Sequence, residues 1–135
     1  MPFRPTDLTP FTVIKCPYQF EGAMVRKRFV VITHRGGYVI CIKATSKMDR
    51  YASNDMANGV VIYKSGEIGC FTETTAIQPD NQFPISYRDL ITHERNGDLE
   101  ILGTLPHDFR PRLLKAMDNS ITMSKRVKDR LLSIL

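Results

Sequence analysis

The sequence has few cysteines, no tryptophan and no long apolar run. A helix that spans a bilayer needs about 20 apolar residues, so we expect no membrane-spanning segment and no membrane partner. The three cysteines are odd in number and have no CxxC or His-x-x-x-His companion, so we expect neither a disulfide framework nor a metal site. Cys16 and Cys41 lie in apolar runs, where a free thiol packs as a small hydrophobe.

The first eleven residues, MPFRPTDLTPF, lack the apolar core of roughly 7–15 residues that a secretory signal requires. Pro2, Pro5 and Pro10 are spread among polar residues there, which predicts an extended lead-in over residues 1–10. We therefore expect no signal peptide and a location in the reducing cytoplasm.

The overall amino-acid composition is typical of a globular protein. The 135 residues are 42% hydrophobic and 24% charged, which fits one domain over residues 1–135. A chain of this size buries about two-thirds of its unfolded surface, so it needs no metal or disulfide to fold. Gly36-Gly37 lacks the spacing of a nucleotide-binding fingerprint, and no cofactor is expected.

Positive charge is concentrated in the first half of the chain. Residues 1–68 contain ten Lys/Arg and five Asp/Glu, whereas residues 69–135 contain nine of each, so the net charge of +5 comes from the first half. Within that half, residues 26–50 contain seven basic residues and one acidic residue. Crowded positive charge attracts polyanions, above all nucleic acid, although a basic solvated surface is an equally good interpretation of the charge alone.

Runs of β-branched and aromatic residues predict a mainly β fold. Gly36-Gly37 predicts a tight hairpin turn, since glycine adopts positive φ at little cost. The strand that follows is apolar on both faces and is expected to be central in the sheet. The predicted strands cover residues 11–16, 28–34, 38–45, 59–64, 68–77 and 99–105. The segments expected between them are loops at 17–27 and 46–58, a turn at 78–84 and a single helical turn at 86–90.

The apolar period changes to that of a helix after residue 104. A first helix carries Phe109, Leu113, Leu114 and Met117 on one face. Residues 121–135 are predicted to form a second, amphipathic helix, which either docks on the domain with its basic side in water or serves as an interaction arm. The simplest packing is a small, strongly bent β-barrel closed by one or two C-terminal helices.

The hairpin that turns at residues 36–37 brings its two open ends together. Arg28 and Thr45 are nearly equally far from the turn, so we expect them side by side at the open end. Arg26 and Lys27 precede Arg28, and Ser46-Lys47 follows Thr45. This end of the hairpin is therefore predicted to be strongly basic.

The same runs carry a resemblance to a known family. PYQFEG (17–22), VRKRFVVI (25–32) and VICIKATSK (39–47) resemble the first hairpin of the PemK/MazF toxins. That hairpin has an apolar strand, a Phe-containing loop, a basic pair, a second apolar strand and a Thr-Ser-Lys ending. ILGTL (101–105), ahead of a helix, looks like the Ile-Gly-x-Leu segment of that family. The resemblance spans residues 11–117, and its specific part is short.

The resemblance implies an SH3-like β-barrel, usually a homodimer, that cuts single-stranded RNA at short sequences without a metal or cofactor. It also implies a protein antitoxin that holds the enzyme inactive, and products with a 2′,3′-cyclic phosphate and a 5′-hydroxyl. By the same resemblance, Arg28 and Thr45 correspond to the catalytic residues. The residues expected to bind RNA are Phe20, Arg26, Lys27, Ser46, Lys47 and Arg50.

These residue types suit RNA cleavage. The guanidinium of Arg28 matches phosphate oxygens, and it stabilises charge rather than acting as a base because arginine does not release its proton. Thr45 offers a hydroxyl to the same developing charge. His34 lies at the turn end of the hairpin and is expected to be an ordinary surface histidine. Phe20 could stack on a base, although core packing is the simpler role for it.

Two departures from the family pattern leave other functions open. Phe29 stands where the family has a proline after the catalytic arginine, and Thr9-Pro10-Phe11 replaces the Gly-Asp that precedes the first strand. The same barrel could then be a non-catalytic module that binds nucleic acid or a protein, or a structural subunit that does neither.

Overall fold

Six strands and the helices packed on them make up the molecule. The computed structural model describes residues 2–135, which form one curled antiparallel sheet together with α-helices. The strands are β1 (Thr12–Phe20), β2 (Ala23–Arg35), β3 (Tyr38–Thr45), β4 (Val61–Tyr63), β5 (Thr75–Ser86) and β6 (Glu100–Thr104), in the order β4-β5-β3-β2-β1-β6. The helices are α1 (Asn54–Ala57), α2 (Tyr87–Arg95), α3 (Phe109–Asn119) and α4 (Lys125–Leu132). The prediction of a mainly β fold with C-terminal helices is confirmed.

Strand β3 occupies the predicted residues and lies inside the sheet between β2 and β5. Ile42 and Ala44 point into a core shared with α3 and α4, whereas Val39 and Cys41 point into a second core shared with α2. Strand β3 is therefore buried on both faces, as its apolar sequence predicts. The turn before β3 is the predicted one, with φ of 54° at Gly36 and 82° at Gly37.

The last helix, α4, packs its apolar stripe on the sheet. Met123 and Leu131 are buried in the core beneath α3 and α4, and Val127 and Ile134 pack against it. The hydroxyl of Ser124 accepts a hydrogen bond from the Val127 amide at 3.2 Å and so begins the helix. The helix is therefore docked on the domain, with Lys125, Arg126 and Arg130 exposed, while Lys128 Nζ donates a hydrogen bond to the Ser120 carbonyl oxygen at 3.3 Å.

Strand β1 does not end at Pro17, as the sequence predicts, but continues to Phe20 and turns through Glu21 and Gly22 into β2. The expected loop at 17–27 is therefore a β-hairpin. Strand β6 covers the outer edge of β1 only over Thr12–Lys15. Beyond that range β1 is an edge strand, where a proline costs no ladder hydrogen bond on the free side.

Strand β5 begins and ends later than predicted. The segment 68–74 is irregular, and the turn expected at 78–84 is part of the strand. The register jumps between Cys41, opposite Phe83, and Lys43, opposite Gln78, so the polar residues in between form a wide bulge. Turn-forming residues thus bend this strand instead of ending it.

Segments expected to be extended or irregular contain short helical turns. The lead-in has a 3₁₀ turn at Pro5–Asp7, and the loop at 46–58 contains another at Asp49–Tyr51 in addition to α1. Helix α2 is nine residues long rather than a single turn. None of the helices in residues 2–135 has the length and apolar character needed to cross a membrane.

The backbone of Gly103 in β6 generates a stability prediction. Its φ is +139°, and a Cβ there would lie 3.0 Å from Cys70 Sγ. Gly103→Ala is expected to lower the free energy of unfolding by about 1–3 kcal/mol in a urea titration, because backbone strain and the close contact both act on the folded state. Gly69→Ala is the control, since nothing lies within 4 Å of a Cβ at that position. Equal losses in the two variants would contradict the explanation.

Candidate functional site

A basic pocket of about 170 Å³ lies at the open end of the β2–β3 hairpin. Five of the eight residues that line it are cations, and none is acidic. We call this cavity the basic pocket; its lining residues are Lys15, Arg26, Lys27, Arg28, Ala44, Thr45, Ser46 and Lys47. Six of the eight predicted site residues are among them, and Phe20 and Arg50 are not.

The register of the hairpin differs by one residue from the expectation. Arg28 lies opposite Ala44 rather than Thr45, because Ile32 is an extra residue in β2 between the pairs Val31–Cys41 and Thr33–Ile40. Neighbouring residues of a strand point to opposite faces, so Thr45 projects from the other face of β3 than Arg28 does. The expectation that Arg28 and Thr45 face each other directly is therefore wrong, although both line the basic pocket.

Two of the pocket cations are paired with carboxylates. Arg26 Nη2 lies 3.1 Å from Glu100 Oε1, and Arg28 Nη2 lies 4.0 Å from Glu73 Oε2. The side chain of Arg28 is 23% exposed, whereas that of Glu73 is 65% exposed. No pattern in the sequence indicates Glu73, which precedes β5 and is 45 residues away from Arg28 along the chain.

The other three pocket cations keep an uncompensated charge. Among residues 2–135, no carboxylate oxygen lies within 4.0 Å of the ammonium groups of Lys15, Lys27 or Lys47. Three like charges around one cavity raise the local positive potential and favour an anion there. Positive charge from the basic first half of the chain is therefore brought together around the basic pocket.

The hydroxyl of Thr45 takes part in a local turn. Thr45 Oγ1 accepts a hydrogen bond from the Lys47 amide at 3.2 Å, which bends the chain after β3 and orients Ser46 and Lys47 at the pocket rim. The hydroxyl proton remains available for donation to a ligand oxygen.

Lys43, which is not among the predicted site residues, adds a cation on the face of β3 opposite to that of Arg28. Its ammonium lies 5.6 Å from the centre of the Phe20 ring. Burial lowers the pKa of Lys43, and the nearby Lys27 and Arg50 lower it further, against the attraction of Asp80. Alternation along β3 is the signal that could have found it, since Lys43 is two residues from Thr45.

Phe20 and Arg50 lie outside the basic pocket. Phe20 packs in an aromatic cluster with Tyr18 and Phe83 at ring distances of 5.0 and 5.6 Å, so core packing is the role that the structure assigns to it. Arg50 Nη2 lies 4.0 Å from Asp80 Oδ2, at a separate small cavity. Phe20 is the ring that faces the Lys43 ammonium, and Arg50 is close enough to Lys43 to lower its pKa.

His34 is not an ordinary surface histidine. Its Nδ1 lies 2.6 Å from the Tyr87 hydroxyl and its Nε2 lies 2.6 Å from the Leu8 carbonyl oxygen. A carbonyl oxygen only accepts, so Nε2 carries a hydrogen and donates it. The ring joins β2 to α2 and to the amino-terminal segment, and it is far along the hairpin from the basic pocket.

The cysteines are not candidates for nucleophiles. Burial raises the pKa of the Cys16 thiol to about 12, and it also raises the pKa values of Cys41 and Cys70. A thiol that keeps its proton is a poor nucleophile. Within residues 2–135, no three His, Cys, Asp or Glu side chains are grouped closely enough to hold a metal ion.

Comparison of the chain with models of known protein families and with curated proteins finds no match. The assignment of a function therefore depends on the geometry and charge of the basic pocket.

The depressed pKa of Lys43 generates a prediction for NMR titration of its side chain. Lys27→Gln is expected to raise the Lys43 pKa towards the ordinary value of 10.5, because it removes a nearby positive charge. Lys115→Gln, on α3, is the control and should leave that pKa unchanged. Between the lowered pKa of the folded chain and 10.5, the unfolded chain holds more protons at this lysine than the folded chain does. The free energy of unfolding therefore increases with pH through that range. An unchanged Lys43 pKa in Lys27→Gln would contradict the charge coupling.

Proposed function

We propose that this chain is a metal-independent endoribonuclease of the PemK/MazF type that cuts single-stranded RNA at the basic pocket. The observation that carries the proposal is the pocket lining of five cations and a threonine hydroxyl. A flexible single strand can place successive phosphates on such a group of cations. The curled antiparallel sheet with C-terminal helices supports the SH3-like barrel of that family.

The proposed roles follow from the chemistry of each side chain. Arg28 binds the scissile phosphate and stabilises the charge that builds up on its oxygens, since a guanidinium is always charged and offers a fork of donors. Thr45 donates its hydroxyl to the same group. Lys15, Lys27 and Lys47 bind the neighbouring phosphates, which position the strand.

The partners belong to the same proposal. The chain acts in the cytoplasm as a homodimer, and a cognate antitoxin with an acidic segment occupies the basic pocket until it is removed. The charge of the pocket supports such a partner, because carboxylates and phosphates bind the same cations.

The nuclease proposal is tested with a randomised pool of 40-nucleotide single-stranded RNA in EDTA. The purified chain should cut a subset of the pool, and Arg28→Ala should reduce the cleavage rate by about 100-fold or more, because it removes the main stabiliser of the phosphorane. Arg126→Ala, on the exposed side of α4, removes the same charge elsewhere and should cleave normally. An intact pool after prolonged incubation would contradict the proposal.

A non-catalytic nucleic-acid-binding module is the second candidate. It is favoured by the projection of Thr45 and Arg28 from opposite faces of β3 and by Phe29 in place of the family proline. Such a module retains the RNA pool without cutting it.

Binding of the pool to the basic pocket also predicts a salt dependence. The logarithm of the affinity should fall linearly with the logarithm of the salt concentration, and Lys47→Gln should reduce the slope by roughly 0.7 through the loss of one phosphate contact. Lys125→Gln on α4 should leave the slope unchanged. Equal slopes for the two variants would place the RNA somewhere other than the basic pocket.

A further inference from the structure

Cleavage of RNA by its own 2′-hydroxyl needs a group that accepts the hydroxyl proton, and the basic pocket lining does not provide one. Arginine and lysine are protonated near neutrality, and a threonine hydroxyl is a weak base. His34 is held at the far end of the hairpin by Tyr87 and Leu8. The carboxylate that reaches Arg28 is that of Glu73.

We infer that Glu73 is the general base of the reaction assigned under the proposed function, on which this inference rests. Glu73 Oε2 lies 4.0 Å from Arg28 Nη2, which is longer than a direct hydrogen bond of about 2.7–3.2 Å. The carboxylate is therefore beside the guanidinium without being locked onto it. A ribose hydroxyl that lies beside this pair, within hydrogen-bond distance of the carboxylate, would be next to the phosphate that Arg28 binds.

The backbone around Glu73 is fixed by hydrogen bonds on both sides. Thr75 Oγ1 donates to the Glu73 carbonyl oxygen at 2.9 Å, and Ser65 Oγ donates to the Thr72 carbonyl oxygen at 2.7 Å. The Ser65 amide also donates to Thr74 Oγ1 at 3.1 Å. Glu73 is thus held at the start of β5, while its side chain stays in water and free to change partners.

Ala44 opens the path between the two residues. Arg28 lies opposite Ala44 in the β2–β3 pair, and Ala44 in turn lies opposite Ile77 in the β3–β5 pair. The guanidinium therefore extends from β2 across β3, at the position of Ala44, towards Glu73 just before the start of β5. A larger side chain at this position would stand between Arg28 and Glu73.

The step balances without a metal or a second reactant. The Glu73 carboxylate takes the proton of the 2′-hydroxyl, and the 2′-oxygen forms a bond to the adjacent phosphorus. The bond between phosphorus and the 5′-oxygen breaks, and the leaving oxygen takes a proton from water at the open rim of the pocket. Glu73 then returns its proton to water, so the products are a 2′,3′-cyclic phosphate and a 5′-hydroxyl.

Glu73→Gln is the test, and Glu100→Gln is its matched control. Both substitutions remove one negative charge beside an arginine of the basic pocket, but Glu100 pairs with Arg26 rather than Arg28. Two quantities are measured for each variant: single-turnover cleavage of the randomised RNA pool in EDTA, and binding of the same pool made with 2′-O-methyl ribose, which cannot be cut by this route.

Glu73→Gln is expected to slow cleavage by about 100-fold or more while it binds the 2′-O-methyl pool at least as tightly as the unaltered chain. Glu100→Gln should also bind at least as tightly but should cleave within about threefold of the unaltered chain. Slower cleavage with unchanged binding distinguishes a general base from a structural residue, because a structural defect would weaken both.

Three outcomes would overturn the assignment. Equal cleavage by the Glu73→Gln and Glu100→Gln variants would show that Glu73 is not the base. The nuclease proposal would be unaffected by that result, because the unaltered chain would still cut the RNA. Loss of binding together with cleavage in Glu73→Gln would show a structural role. An unaltered chain that binds the pool but does not cut it would overturn the nuclease proposal and the assignment of Glu73 together.

Discussion

The pairing of β2 with β3 determines on which face the side chains of the candidate site lie. Ile32 is inserted as a bulge, so Arg28 lies opposite Ala44 and on the face that also carries Lys15 and Arg26. Side chains alternate along a strand, and a shift of one residue would place Arg28 on the other face. The small side chain of Ala44 then lets the guanidinium extend towards Glu73, 4.0 Å away. The basic pocket and the proposed base both depend on this register.

The balance of charge around the pocket favours an incoming polyanion. The two carboxylates that reach it, Glu73 and Glu100, have side chains that are 65% and 50% exposed. Ion pairs in contact with water contribute about 0–1 kcal/mol, so a phosphate can replace either carboxylate at small cost. The ammonium groups around the pocket rim have no such partner within residues 2–135 and add to the attraction. The basic pocket therefore combines unpaired ammonium groups with a largely exposed carboxylate beside Arg28.

Much of the fold can be predicted from local pattern, because burial and turn chemistry act on neighbouring residues. The bounds of β3, the turn at Gly36-Gly37 and the stripe of α4 are cases of this kind. The bulge at Ile32 and the wide bulge in β5 could not be predicted, since they arise from the fit between strands that are distant in sequence. Glu73 could not be predicted for the same reason, because it comes close to Arg28 only when β5 has paired with β3. The concentration of charge was visible in the sequence, but the face on which each cation lies was not.

The end groups of RNA cut in EDTA test the central claim, attack by the RNA's own 2′-hydroxyl at the basic pocket. Mass spectrometry of the fragments should find a 2′,3′-cyclic phosphate on each upstream piece and a 5′-hydroxyl on each downstream piece. Fragments with a 3′-hydroxyl and a 5′-phosphate would mean that water attacked the phosphorus, and they would contradict the account.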